Sequence, residues 1–158
     1  MVTLKHRMIV LRQLWPSMNN WGGSILSYKV SNLAITVGYR DTFCIPFAII
    51  NRPMLEQESF LFTVRRTLDG TNRKGRSPER SGIVFQKKIT WRDVTPIIDE
   101  EGNNVGCEFF VKATKADAEL IPMGACVYDL ALINSQAGVE IELVPPSVFM
   151  VGEVLRYD

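Results

Sequence analysis

The chain has 158 residues, 46% of them apolar, and a formal net charge of +1. This length and composition suit one domain with a usable core and exclude collagen-like, coiled-coil and wholesale disordered chains. No apolar run approaches the roughly 18 residues of a membrane helix, and Met8–Leu11 is shorter than the roughly 7–15 residues of a signal-peptide core, so no membrane partner is expected.

The small net charge hides a split. Residues 1–92 hold 15 Lys and Arg against 5 Asp and Glu, a net of +10, whereas residues 93–158 hold 3 against 12, a net of −9. Such a split is compatible with charge-complementary contacts between neighbouring copies.

Residues 1–31 differ in composition from the remainder of the chain. They carry four Lys and Arg and no acid, two tryptophans (Trp15 and Trp21), and a Pro/Asn/Gly-rich stretch from Pro16 to Gly23. The expectation is an N-terminal arm, either functional or a start-site extension, with Trp15, Trp21 and Arg12 as assembly contacts. Residues 32–158 then form the domain.

From Leu33 the pattern alternates. Leu33, Ile35 and Val37 oppose Ala34 and Thr36, as in a strand with two unlike faces. Gly38–Asp41 turns the chain into a second strand, Thr42–Ile50, where Pro46 favours an edge or a bulge. Ser59–Arg66 is a third strand, with Phe60, Phe62 and Val64 inward. Asp69–Gly82 holds turn-formers and charges and reads as a long polar loop. A fourth strand runs from Gly82 to Trp91, with Ile83, Phe85, Ile89 and Trp91 on one side.

Val94–Asn104 ends in the acidic turn Asp99–Asn104. Val105–Ala113 is a fifth strand, with Cys107, Phe109 and Val111 on one face. A short helix is predicted over Thr114–Leu120, because Thr114 can cap it and Asp117 sits where an acid helps a helix N-terminus. The closing hairpin pairs a strand in which Tyr128, Leu130 and Leu132 share a face with Val139–Val144, around the turn Asn134–Gly138. Pro145–Pro146 is expected to end that strand, and Ser147–Val151 to start another. Seven or eight short strands at this spacing predict an all-β protein, a sandwich or barrel, with one short helix before the penultimate hairpin.

The residues with chemistry are few. Cys44, Cys107 and Cys126 lack paired spacing and sit in apolar strand patterns, as buried thiols do. The single histidine, His6, lies in the arm, which removes most nucleophile–histidine schemes and histidine-rich metal sites. No catalytic, cofactor or metal residue is therefore expected, and no small-molecule ligand. Arg73, Lys74 and Arg76, with Arg80 nearby, form the densest basic run. They lack interleaved aromatics and a phosphate-cradling glycine pattern, so they read as assembly contacts and not as a nucleic-acid site. Asp99–Asn104 does not follow the ligand spacing of a calcium loop. Glu140 and Glu142 share one strand face, as acids on a wet face commonly do, and Trp15, Trp21 and Trp91 could stack on sugars but read better as core or interface packing.

From Asn32 onward the order of features resembles a known family. The carriers are LAITVGYRDTFCIPFAI, ESFLFTVRRT, GIVFQKKIT, FFVKATKADAELIPMGACVYDLALI and VPPSVFMVGEVLR. This succession is similar to the immunoglobulin-like β-sandwich domains of tailed phages and prophages, in particular the N-terminal domain of baseplate upper proteins. The turn Gly38–Asp41 and the loop Asp69–Gly82 are longer than the family pattern, and residues before Asn32 have no counterpart in it. The resemblance implies an immunoglobulin-like sandwich and a non-enzymatic virion structural protein, an assembly or adaptor module of a tail or baseplate. Its implied partners are copies of itself and other virion proteins, in a particle assembled in the bacterial cytoplasm. A capsid decoration or head-fibre protein, and a glycan-binding module, are the alternatives. With the chain ending at Asp158, the expectation is the attachment module alone, without a receptor-binding extension.

Overall fold

Two five-stranded sheets face each other across one apolar core in the computed structural model, which describes residues 8–14, 27–30, 34–50, 52–66 and 82–153. In chain order the strands are β1 (Ile9–Leu14), β2 (Ser27–Val30), β3 (Ile35–Gly38), β4 (Phe43–Ile50), β5 (Glu58–Arg66), β6 (Ile83–Thr90), β7 (Thr95–Ile98), β8 (Asn104–Ala113), β9 (Gly124–Asn134) and β10 (Val139–Gly152). A 3-10 turn, Trp91–Asp93, comes after β6, and helix α1 (Lys115–Glu119) joins β8 to β9.

The first sheet has the order β2-β1-β4-β8-β7 and the second β3-β10-β9-β5-β6. Lettered in the immunoglobulin manner, β4-β8-β7 run as B-E-D and β5-β9-β10 as C-F-G, the arrangement of an immunoglobulin-like sandwich. Two pairings are parallel, β1 with β4 and β3 with β10.

The strands form where period-two patterning gives one apolar face. On β8, Cys107, Phe109 and Val111 point inward, while Phe110 and Lys112 point out. On β5 and β9 the inward rows are Phe60, Phe62, Val64 and Tyr128, Leu130, Leu132. Rings from the two sheets meet across the core: Phe47 of β4 lies 5.9 Å from Phe62 of β5, and Phe109 of β8 stacks on Phe60 of β5 at 4.5 Å. These aromatic contacts fix the sheet separation and add to the burial term that drives folding.

Helix α1 forms as its capping residues predict. The Asp117 backbone N–H donates to Thr114 Oγ1 at 3.2 Å and the Thr114 N–H donates to Asp117 Oδ2 at 2.9 Å, a complete capping box. Those hydrogen bonds hold the Asp117 carboxyl below its ordinary value.

Within residues 1–31, β1 lies inside the first sheet beside β4, and Leu11 is 0% exposed in the core. Its alternation of Ile9, Leu11 against Val10 is the strand pattern, which the polar neighbourhood of residues 16–23 obscures. Ten strands are present among the described residues, more than the seven or eight expected, because β1, β2 and β7 add to them.

Pro145–Pro146 do not end the last strand. β10 continues through them with register shifts between Glu142 and Val144 and between Val144 and Ser147. A bulge absorbs the missing donors, and β3 covers β10 only at Phe149–Gly152, so the prolines stand where the outer flank has no strand among the described residues. Pro46, expected at an edge or a bulge, lies in a central strand, but β1 pairs with β4 only from Phe47 onward. Ile83 and Trp91 do not share the face of Phe85 and Ile89. A register shift between Val64 and Arg65 turns Ile83 outward at 37% exposure, and Trp91 leaves the strand in the 3-10 turn at 40%.

Candidate assembly surface

The outward face of the second sheet is where sequence and structure leave unexplained apolar area. An antiparallel sheet with one face on the core is ordinarily polar on the other. Here the register lines up transverse rows across β10, β9, β5 and β6. One row reads Glu142, Ala131, Leu61, Lys88. Another reads Val148, Val127, Arg65, Ile83. Val148 is 52% exposed, and Met150 beyond it is also exposed. Apolar side chains thus flank a polar centre (Asp129, Thr63, Gln86, Arg65) on a face that carries acid on β10 (Glu140, Glu142) and base on β6 (Lys88).

The centre of this face is built by side chains that hold one another. Arg65 of β5 and Asp129 of β9 form an ion pair between adjacent rows. Gln86 Nε2 donates to Thr63 Oγ1 at 3.1 Å, which explains how an outward threonine is buried. Arg65 Nε is a buried donor with no hydrogen-bond partner among the described residues.

A second feature lies at the end of the same sheet. Glu56, Gln57, Lys88, Trp91, Arg92 and Ser135 line an open polar cleft of about 340 Å³. The Arg92 guanidinium stands 5.5 Å from the Trp91 ring centroid. Glu58, which also lines the cleft, is held by the β4–β5 connection: the Arg52 guanidinium donates to its buried carboxylate, Nη1 to Oε1 at 3.0 Å, and the Leu55 N–H donates to the same oxygen at 2.9 Å.

Other chemistry-bearing groups serve the fold. Burial pushes the Cys107 thiol up to about 11 and raises that of Cys126, so both are poor nucleophiles at neutral pH. Asp99 Oδ1 accepts from the N–H groups of Glu101 and Asn103, closing the β7–β8 turn. Among the described residues no group of three or more His, Cys, Asp and Glu is placed to hold a metal ion, and no helix is long and apolar enough to cross a membrane.

Of the contact residues expected from the sequence, Trp15, Trp21, Arg73, Lys74 and Arg76 lie outside the described residues. Arg12 is in β1, opposite Ile50 of β4 and Lys29 of β2. The row from Glu142 to Lys88 is not legible in the sequence as a row. Its signal is present in each strand as apolar residues at outward positions, but only the register brings them side by side.

No family model matches the chain, and no curated protein matches it. Among solved structures, the N-terminal domain of phage TP901-1 ORF48 is similar with a TM-score of 0.42 and 13% identity, over 94% of this chain and 98% of that one.

Proposed function

We propose that this chain is a non-enzymatic structural module of a tailed-phage particle, an adaptor of the tail or baseplate. The observation that carries the reading is the outer face of β10-β9-β5-β6, where exposed apolar side chains (Val148, Met150, Ile83) share a sheet face with acid on β10 and base on β6. Surfaces of this kind suit protein–protein contact, because the apolar area supplies affinity and the flanking charges fix orientation. The sequence resemblance to phage sandwich domains supplies the biological setting. Function here is assembly: the sandwich holds its outward face in a fixed shape, and neighbouring subunits cover it. Copies of the chain and other virion proteins are the partners in this reading.

The test is loss of particles. Deleting the gene from the phage or prophage should leave cells that accumulate heads, tails or baseplates in unjoined form, visible by electron microscopy. Normal, infectious particles in normal number would refute the reading.

The glycan-binding alternative has its own support in Trp91, whose ring flanks the open polar cleft with Gln57, Glu56 and Ser135 nearby. A glycan array read with the native chain and with Trp91→Ala separates the two readings. Binding that disappears in the variant would favour a glycan module.

A further inference from the structure

We infer that two copies of this chain pair through the outer face of β10-β9-β5-β6, related by a two-fold axis that runs parallel to the strands between β9 and β5. This rests on the assembly reading and names the first partner of that surface as a second copy of the chain.

The order of residues along one row points to this pairing. Glu142, Ala131, Leu61 and Lys88 stand side by side on β10, β9, β5 and β6. A two-fold axis along the strands exchanges β10 with β6 and β9 with β5 at the same height. Glu142 of each copy then meets Lys88 of the other, and Leu61 of each lies over the largely buried Ala131 of the other. A single row therefore makes two ion pairs flanking two apolar contacts, which is the self-complementarity an isologous interface requires. The row Val148, Val127, Arg65, Ile83, two outward positions along the strands, obeys the same operation, placing Val148 against Ile83 and Val127 against Arg65 of the second copy.

The centre is consistent with this operation. Arg65 and Asp129 lie on β5 and β9, the two strands exchanged by the axis, in adjacent rows. Pairing therefore sets each Asp129 beside the Arg65 of the second copy, and the two ion pairs become one four-membered cluster. Each sheet twists away from the axis on both sides, so the match is closest near the axis, where these residues sit.

Size sets the expected affinity. Four strands at ~4.8 Å spacing put Glu142 and Lys88 roughly 14 Å apart, and nine residues of strand length give a face of roughly 500–600 Å². That is below the ~800 Å² per partner of a standard stable interface, so the pair should associate in the micromolar range.

Sedimentation velocity of the full chain, run from about 1 to 100 µM to bracket a micromolar Kd, tests the inference. The wild type should shift from monomer to dimer over that range. Lys88→Glu puts two acids opposite each other at both ends of the row, and Glu142→Lys does the same with two bases. Each variant alone should weaken pairing about tenfold or more, the consequence of like charges brought together. In an equimolar mixture the Lys88→Glu copy supplies both acids and the Glu142→Lys copy both bases, so both ion pairs form, and the mixture should dimerise as tightly as the wild type while each variant alone dimerises more weakly. Both positions are exposed, and circular dichroism establishes that each variant is folded. A monomeric wild type, two variants that dimerise like the wild type, or a mixture that stays monomeric would each overturn the inference. Those results leave the particle reading standing with another occupant for the face, either a different protein or residues outside those described. Dimerisation as described, in a protein missing from particles, would instead sink the particle reading alone.

Discussion

Phe109→Ala probes the core of this sandwich most sharply. The ring is 1% exposed, stacks on Phe60 across the core at 4.5 Å, and stacks on Phe47 of its own sheet at 5.3 Å. Its removal takes away both stacking partners and leaves a cavity between sheets that cannot collapse without moving strands. Phenylalanine-to-alanine changes of this kind cost about 3–5 kcal/mol. A domain of this size is stable by roughly 5–15 kcal/mol, so the variant should fold with a large part of its stability gone. Each kcal/mol lowers the Tm of a chain of this length by about 2–4 °C, which gives a drop of about 6–20 °C. Urea unfolding should show a lower midpoint with an unchanged slope. Phe110 supplies the control. It neighbours Phe109 in sequence but points outward at 39% exposure, under Lys112 at 5.7 Å from the ring centroid, and its replacement by alanine should cost about 1 kcal/mol or less. Equal losses for the two variants, or a larger loss at Phe110, would mean that β8 sits one residue out of register, which would exchange its two faces and refute the description of the core.

Three other sites give separate outcomes. Gly106→Ala places a Cβ 2.1 Å from the Ile49 carbonyl oxygen, a backbone clash that only separation of β4 from β8 relieves, and urea unfolding should show a loss of at least about 2 kcal/mol. The Cys107 thiol is raised from 9.0 to about 11 in the folded chain. Below pH 9 both states hold the proton and nothing is lost; between pH 9 and 11 the unfolded chain releases it first, so stability falls by up to about 2–3 kcal/mol, and the fall should be shallower in Cys107→Ala. Thr114→Ala removes the helix cap and should cost about 1 kcal/mol at pH 7. The Asp117 half of the same box has a lowered carboxyl pKa, so its contribution is present at neutral pH and is lost as the pH falls through that value; thermal unfolding of Asp117→Asn should converge on the wild type in acid.

Much of the fold could be read from the sequence because it rests on local signals. The faces of β5, β8 and β9 follow from alternation alone, and α1 follows from Thr114 and Asp117. What could not be read depends on pairing. The bulge opposite Arg65 turns Ile83 outward against its own pattern, and no local residue reports it. Pro145 and Pro146 stop a strand only if both flanks need donors, and the absence of β3 beside that stretch is a fact of topology. Ile9 and Leu11 look like part of a polar arm until β4 supplies the strand they lie against. The candidate surface was hidden for the same reason: Glu142, Ala131, Leu61 and Lys88 come from four strands, and only the register makes them a row. Trp91 was visible as a tryptophan, but its place beside a polar cleft required the 3-10 turn after β6.

Quantitative mass spectrometry of gradient-purified phage particles from cells that carry the gene is the decisive test of a place in the virion. The chain should co-sediment with intact particles, in a fixed ratio to the tail and baseplate proteins and in low copy relative to the major capsid protein. A ratio equal to that of the capsid protein would move it to the head, and absence from the particles at any ratio would contradict a virion role.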